Sequence, residues 1–231
     1  MSRTIVVAGY GPGISDAVAR KFGAEGFRVA LVSRSDARVQ SGAKLLQEAG
    51  IQAQGYACDL GEPGAVERLI GQVRSTLGPI TVLHWNAYAG LAGDLLTSSV
   101  DDLRKVFDVG VTGLVVALQQ SLPDMRSQQK DAALLVTGGG FAFYDANVDA
   151  MATKFDAMGL AVAKAAQHKL VGVLHQKLEP ENIYVGEVVV LGMVKGTAFD
   201  SGHATLEPSA IADRFWQMYQ GRSETSVTVT G

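Results

Sequence analysis

The sequence contains one cysteine, Cys58, in 231 residues. No intrachain disulfide can form, and a reducing cytoplasmic setting is the expectation. Four histidines are present (His84, His168, His175 and His203). None stands at ligand spacing from the cysteine or from an acidic cluster, so no metal is expected. A basic tract is also missing: the net charge is −3, which argues against nucleic acid as a partner. No apolar run approaches the ~20 residues of a membrane span, so no membrane partner is expected. Only Arg3 precedes the first apolar run, which is too short for a secretory h-region. With 47% hydrophobic and 19% charged residues, a chain of this length can bury the core of a single α/β domain.

Glycine, by contrast, is abundant and well placed. Thr4-Ile5-Val6-Val7-Ala8 is an unbroken apolar run ending in Gly9-Tyr10-Gly11-Pro12-Gly13-Ile14-Ser15. Absence of alternation suits a parallel strand covered on both faces. The period then changes: Ile14, Val18 and Phe22 recur every four residues, as on one helix face. Gly26 ends that helix, and Phe27 to Ser33 reads as a second strand. The spacing is not G-x-G-x-x-G, but Gly9, Gly11 and Gly13 sit between a strand and a helix. Side chains there would hold the backbone away from a pyrophosphate, and the helix opening at Ile14 would attract it. Arg34 follows the second strand, and Ser33 occupies the place where an acid would bind a ribose 2′-hydroxyl. An arginine suits a 2′-phosphate, which points to NADP(H), with Asp36 nearby as a counter-indication.

Strands and helices go on alternating without a linker or a repeat. Strands are expected at 54–57, 80–85, 134–137 and 183–190, with a short last strand around Val227 and Val229. Helices are expected at 63–76, 101–122, 159–178 and 208–219, with Ser99 and Asp102 as a capping box. This order implies a Rossmann-type doubly wound parallel sheet in one domain, 1–231. Its ligand edge lies beyond Gly9, Arg34, Asp59, Asn86, Gly138 and Leu191.

These pieces together resemble the short-chain dehydrogenase/reductase family over essentially the whole chain. Ala8 to Ser15 resembles its glycine motif, with Ser15 where a third glycine is usual. Arg34 matches the arginine of NADP-preferring members, and Asp59-Leu60 the adenine-binding pair. Trp85-Asn86-Ala87-Tyr88 is similar to the Asn-Asn-Ala-Gly loop, and Leu191 to Val194 falls where the family has a Pro-Gly turn. The resemblance implies that Gly9, Gly11, Gly13, Ile14, Ser33, Arg34, Asp59, Leu60, Asn86, Ala87, Lys164 and Val194 bind the cofactor. It further implies a small-molecule substrate, a substrate lid at about 193–206, and a homodimer or homotetramer built on the two long helices.

The family's active site departs more. Lys164 matches the catalytic lysine, but the tyrosine expected four residues earlier is Leu160. The serine position falls near Gly139 and the asparagine position at Gly110. A glycine inside a helix costs roughly 1 kcal/mol against alanine, and with Gly113 it marks close packing or a kink. The stretch at about 140–158 reads as an extended loop beside the nicotinamide. Within it Tyr144 is the best replacement acid, with Tyr88 and His84 next. The plainer reading makes Phe141, Phe143 and Tyr144 an aromatic cap over an apolar pocket. Two functions stay open: an NADP(H)-dependent oxidoreductase of a carbonyl or alcohol, and an NADP(H)-binding pseudoenzyme acting as sensor or assembly partner. A reductase whose product is protonated by water is a variant of the first.

Overall fold

The computed structural model describes residues 3–90 and 92–231. Seven strands form one parallel sheet: β1 Thr4–Ala8, β2 Arg28–Ser33, β3 Ala53–Ala57, β4 Ile80–Trp85, β5 Ala133–Gly139, β6 Tyr184–Leu191 and β7 Ser226–Thr230. Their spatial order is β3-β2-β1-β4-β5-β6-β7, so the chain reverses direction across the sheet between β1 and β4. The helices are α1 Ile14–Ala24, α2 Asp36–Glu48, α3 Pro63–Leu77, α4 Val100–Phe107, α5 Gly113–Gln128, α6 Ala146–Lys154, α7 Met158–Leu178 and α8 Pro208–Gly221.

Strand burial explains the unbroken apolar runs. All five residues of β1 are buried. Val6 and Ala8 join the core under α3, α5 and α7, through Ile70, Leu118 and Val171. Ile5 and Val7 face the opposite way, into the core under α1, α2 and α8, through Phe22, Leu46 and Phe215. A strand with helices on both faces has no water side, so it needs no polar alternation.

Three features differ from the sequence reading. The helix expected over 101–122 is interrupted: a π turn, Asp108–Thr112, separates α4 from α5. The helical run Val100–Gln128 as a whole is long and apolar enough by composition to cross a bilayer. Counting unbroken apolar runs does not pick this helix out, and Leu114, Ala117, Leu118 and Met125 of it lie in the core. Finally, the stretch 140–158 carries its own helix, α6, whose N-cap Asp145 accepts from the N–H groups of Asn147 and Val148. Half of the expected capping box is present: Asp102 N–H donates to Ser99 Oγ (3.1 Å), while the Asp102 carboxylate accepts from the Ser99 hydroxyl, a side-chain bond in place of the backbone one.

Candidate cofactor and substrate site

The glycine turn is built as a strand-to-helix cradle. Gly9 has φ 85°, and a Cβ there would stand 2.5 Å from the Ala87 backbone. Only glycine lets β1 and the loop after β4 approach this closely. Asn86 closes the contact, its side-chain amide donating to the Gly9 carbonyl at 3.2 Å. Gly13 caps α1 with φ 96° and no side-chain cap, so first-turn N–H groups, Ile14 among them, have no side-chain partner. Gly11 faces open space. Ser15, where a third glycine was expected, clamps the turn: its hydroxyl accepts from Gly11 N–H (2.9 Å) and donates to Gly11 O (3.0 Å). The cradle therefore fits a pyrophosphate, with open backbone in front of a free helix start.

On the next strand, Ser33 is buried and donates to Ser35 O at 3.2 Å. Ser35 caps α2. Arg34 and Arg38 are both exposed, and neither forms an ion pair among the described residues. Asp36 accepts from Gln40 at 3.1 Å and forms no ion pair with Arg34 among the described residues. Arg38 was missed in the sequence; its place in the first turn of a capped helix was the available signal. Asp59 is exposed and caps its own loop through Gly61 N–H at 3.0 Å, while Leu60 is buried. Cys58 is buried, and burial together with Asp59 pushes its thiol up to about 11, away from nucleophilic use.

Gly110 lies in the π turn, where a Cβ would meet only Ala163 Cβ at 3.7 Å. An i→i+5 turn leaves carbonyls without their usual helix donors. Two side chains supply them. Trp85, fully buried, donates its indole N–H to Val109 O at 3.2 Å. Gln167, also buried, donates its amide to Gly110 O at 2.8 Å. The other end of Gln167 accepts from Lys164 Nζ at 2.8 Å, and Lys164 also donates to Thr137 O at 2.7 Å. Gly113 is obligatory for another reason: a Cβ there would meet Leu60 O at 2.1 Å. Gln167 was not anticipated, since a lone polar residue on a helix carries no signal until its neighbours are known.

Lys164 opens into a small pocket lined by Ala87, Tyr88, Val106, Gly110, Leu160 and Gln167. Desolvation lowers its ammonium to about 8, with the Glu187 charge opposing. Leu160 is buried and Gly139 has open space where a side chain would stand. Tyr144, proposed from the sequence as the acid, requires correction. Its side chain is fully exposed, at 101%, and it makes no hydrogen bond to Lys164. The 3₁₀ turn Gly140–Ala142 and the start of α6 leave it in solvent. Phe143 turns the other way, edge-on to His168 at 5.7 Å. His84 is wholly buried, bonded through Nε2 to Thr137 Oγ1 at 3.2 Å, and burial lowers it to about 3. It stays neutral in the core and is no proton donor near neutral pH.

Residues 193–206 fold over this edge. Val194 is buried and bridges Leu206. Lys195 N–H donates to Leu206 O, and Leu206 N–H to Met193 O. Asp200 gathers the N–H groups of Gly196, Gly202 and Ala204. The loop touches the site twice: a Cβ on Gly13 would stand 2.6 Å from Thr197 Cγ2, and Phe199 lies against Tyr88 with ring centroids 5.9 Å apart.

Residues 3–205 match the short chain dehydrogenase family profile. Meso-2,3-butanediol dehydrogenase of Serratia marcescens is 32% identical over 69% of this chain and 65% of its own length. Dehydrogenase/reductase SDR family member 2, mitochondrial, of Homo sapiens is 30% identical over 84% of this chain and 66% of its own. The chain thus spans just under two thirds of these relatives. A metagenomic short-chain oxidoreductase in complex with NADP superposes with TM-score 0.82 at 22% identity, covering 100% of this chain and 98% of that one. A 3-oxoacyl (acyl-carrier-protein) reductase from Agrobacterium tumefaciens C58 with NADP bound gives 0.85 at 21%, covering 99% and 93%. At that identity the likeness is one of fold.

Proposed function

The chain belongs to the short-chain dehydrogenase/reductase family, and from that premise we propose an NADP(H)-dependent oxidoreductase of carbonyl and alcohol substrates in which Lys164 itself is the proton source. Gly9, Gly11, Gly13 and Ile14 take the pyrophosphate. Ser33 and Arg34, with Arg38, take the 2′-phosphate. Asp59 and Leu60 flank the adenine, and Asn86, Ala87, Lys164 and Val194 line the nicotinamide half. NADPH, when bound, supplies the hydride.

One observation carries the assignment to Lys164. An ammonium has three N–H donors; Thr137 O and Gln167 Oε1 take two, and the third is left for a substrate oxygen in the pocket. Desolvation holds this ammonium at about 8, where giving and regaining a proton near neutral pH are both accessible. In reduction, Lys164 –NH₃⁺ gives its proton to the carbonyl oxygen as the carbon receives hydride, and the amine regains a proton from water. Residues 193–206 serve as the substrate lid. Val162 and Val173, exposed on α7, support a homodimer or homotetramer through that helix, and the lone buried Cys58 supports a cytoplasmic setting. Light scattering that returns a monomer removes the oligomer.

The test compares wild type with Lys164→Arg, which keeps the cation but not a transferable proton. NADPH binding is followed by fluorescence and turnover by a panel of ketones and aldehydes. Retained binding with turnover reduced roughly 100-fold or more is expected. Unchanged turnover refutes the role of Lys164. Tight NADPH binding with no turnover in wild type would instead establish the pseudoenzyme reading, and preference for NADH would remove the Arg34 assignment.

A further inference from the structure

A second group of ionisable side chains lies one turn along α7 from Lys164, where His168 meets β6. Glu187, in the middle of β6, is wholly buried. Its Oε2 shares a hydrogen bond with His168 Nδ1 at 2.5 Å and accepts from Ser226 Oγ of β7 at 3.3 Å. Its Oε1 is buried with no hydrogen-bond partner among the described residues. That free oxygen points at Gly138, where a Cβ would stand only 2.3 Å away. So Gly138 is a glycine because the carboxylate occupies its side-chain space.

We propose that Glu187 is a positioning residue for Lys164: a sunken counter-charge, oriented by His168, that holds the lysine cation at the pocket floor. Lys164 and His168 are four residues apart on α7 and therefore share one face, turned toward β5 and β6. Lys164 Nζ bonds the carbonyl of Thr137, whose peptide continues directly into Gly138. The ammonium and the free carboxylate oxygen thus meet the same peptide of β5. A buried carboxylate without a counter-charge is strongly disfavoured. His168 brings a donor to Oε2, and the Lys164 cation is the charge available to Oε1. The Glu187 charge in turn raises the proton affinity of Lys164 against its burial. The groups that meet Glu187 and Lys164 are accounted for by element: His168 and Gln167 from α7, Ser226 from β7, and Thr137 and Gly138 from β5.

The catalytic consequence rests on Lys164 being the proton source, but the electrostatic claim is testable without turnover. Lysine labelled at ¹³Cε is titrated by NMR in the intact protein, with the Lys164 signal identified by its loss in Lys164→Arg. In Glu187→Gln, an isosteric change, the Lys164 midpoint falls by about one pH unit or more. Gly138→Ala displaces the same carboxylate from the other side and lowers the midpoint as well. His168→Asn places an amide donor where Nδ1 stood and leaves the midpoint in place. An unchanged midpoint in whichever of Glu187→Gln and Gly138→Ala folds overturns the proposal. His168→Leu removes the donor to Oε2 and lowers the midpoint, and an unchanged midpoint in His168→Leu overturns the orienting role given to His168. Because neither cofactor nor substrate is used, a shifted midpoint in an enzyme that reduces nothing sinks the proposed reaction and leaves this inference standing.

Discussion

His84 makes the fold sensitive to acid in a way that can be isolated. The imidazole is wholly buried, with Nε2 on Thr137 Oγ1, Nδ1 without a partner, and the Phe215 ring edge-on at 4.9 Å. No compensating charge stands beside it among the described residues, and desolvation lowers it from 6.5 to about 3. The unfolded chain takes the proton first, so this residue's contribution is fully present above about pH 6.5 and is lost as the pH falls toward 3. The full interval corresponds to at most about 5 kcal/mol. Between pH 7.5 and 5 the loss is about 2 kcal/mol. Urea unfolding of wild type and His84→Leu at the two pH values measures it. Each carboxylate contributes equally to both proteins, so the difference of differences reports His84. The variant should lose about 2 kcal/mol less on acidification, whatever its stability at pH 7.5. Equal acid sensitivity in the two proteins would mean that the buried imidazole is already charged or hydrated, and the reasoning fails.

Two further changes probe the site. Leu160→Tyr places a phenol four residues before Lys164, beside the pocket; carbonyl reduction should rise roughly 100-fold in steady-state NADPH oxidation. No gain in a variant that still binds NADPH would mean the pocket does not hold the reacting oxygen. Gln167→Leu strips Gly110 O and Lys164 Nζ of partners at once. Chemical denaturation should show a loss of about 2–4 kcal/mol, and a loss below about 0.5 kcal/mol would show that water replaces the amide freely.

The sheet was legible in the sequence because its physics is local. Runs such as Thr4–Ala8 and Ile80–Trp85 are apolar on both faces, and the onset of a four-residue period at Ile14 marks where a strand gives way to a helix. The glycine cradle was legible for the same reason: positive φ and close approach demand glycine at Gly9 and Gly13. The lysine environment was not legible. Gly110 and Gly113 signalled something inside the helix, but the partners of the π turn, Trp85 and Gln167, lie 24 and 57 residues away. Tyr144 was misplaced because an aromatic residue near the right strand end reads the same whether it faces the pocket or water. Asp145 was the overlooked sign: as an N-cap it starts α6 and turns the preceding residue outward. Glu187 carries no signal in its valine-rich strand, and only the folded chain, where its carboxylate reaches past Val136 to Gly138, gives it a role.

A π turn amounts to one residue added to an α-helix. That extra residue sets the rotational phase of α4 relative to α5. Deleting it would restore a continuous spiral and swing everything upstream by about 100°, carrying Val106 off the wall shared with Lys164. The site is therefore tuned by a count of residues as well as by their identity: a single insertion, anchored by an indole and an amide, decides which face of a helix looks onto the chemistry.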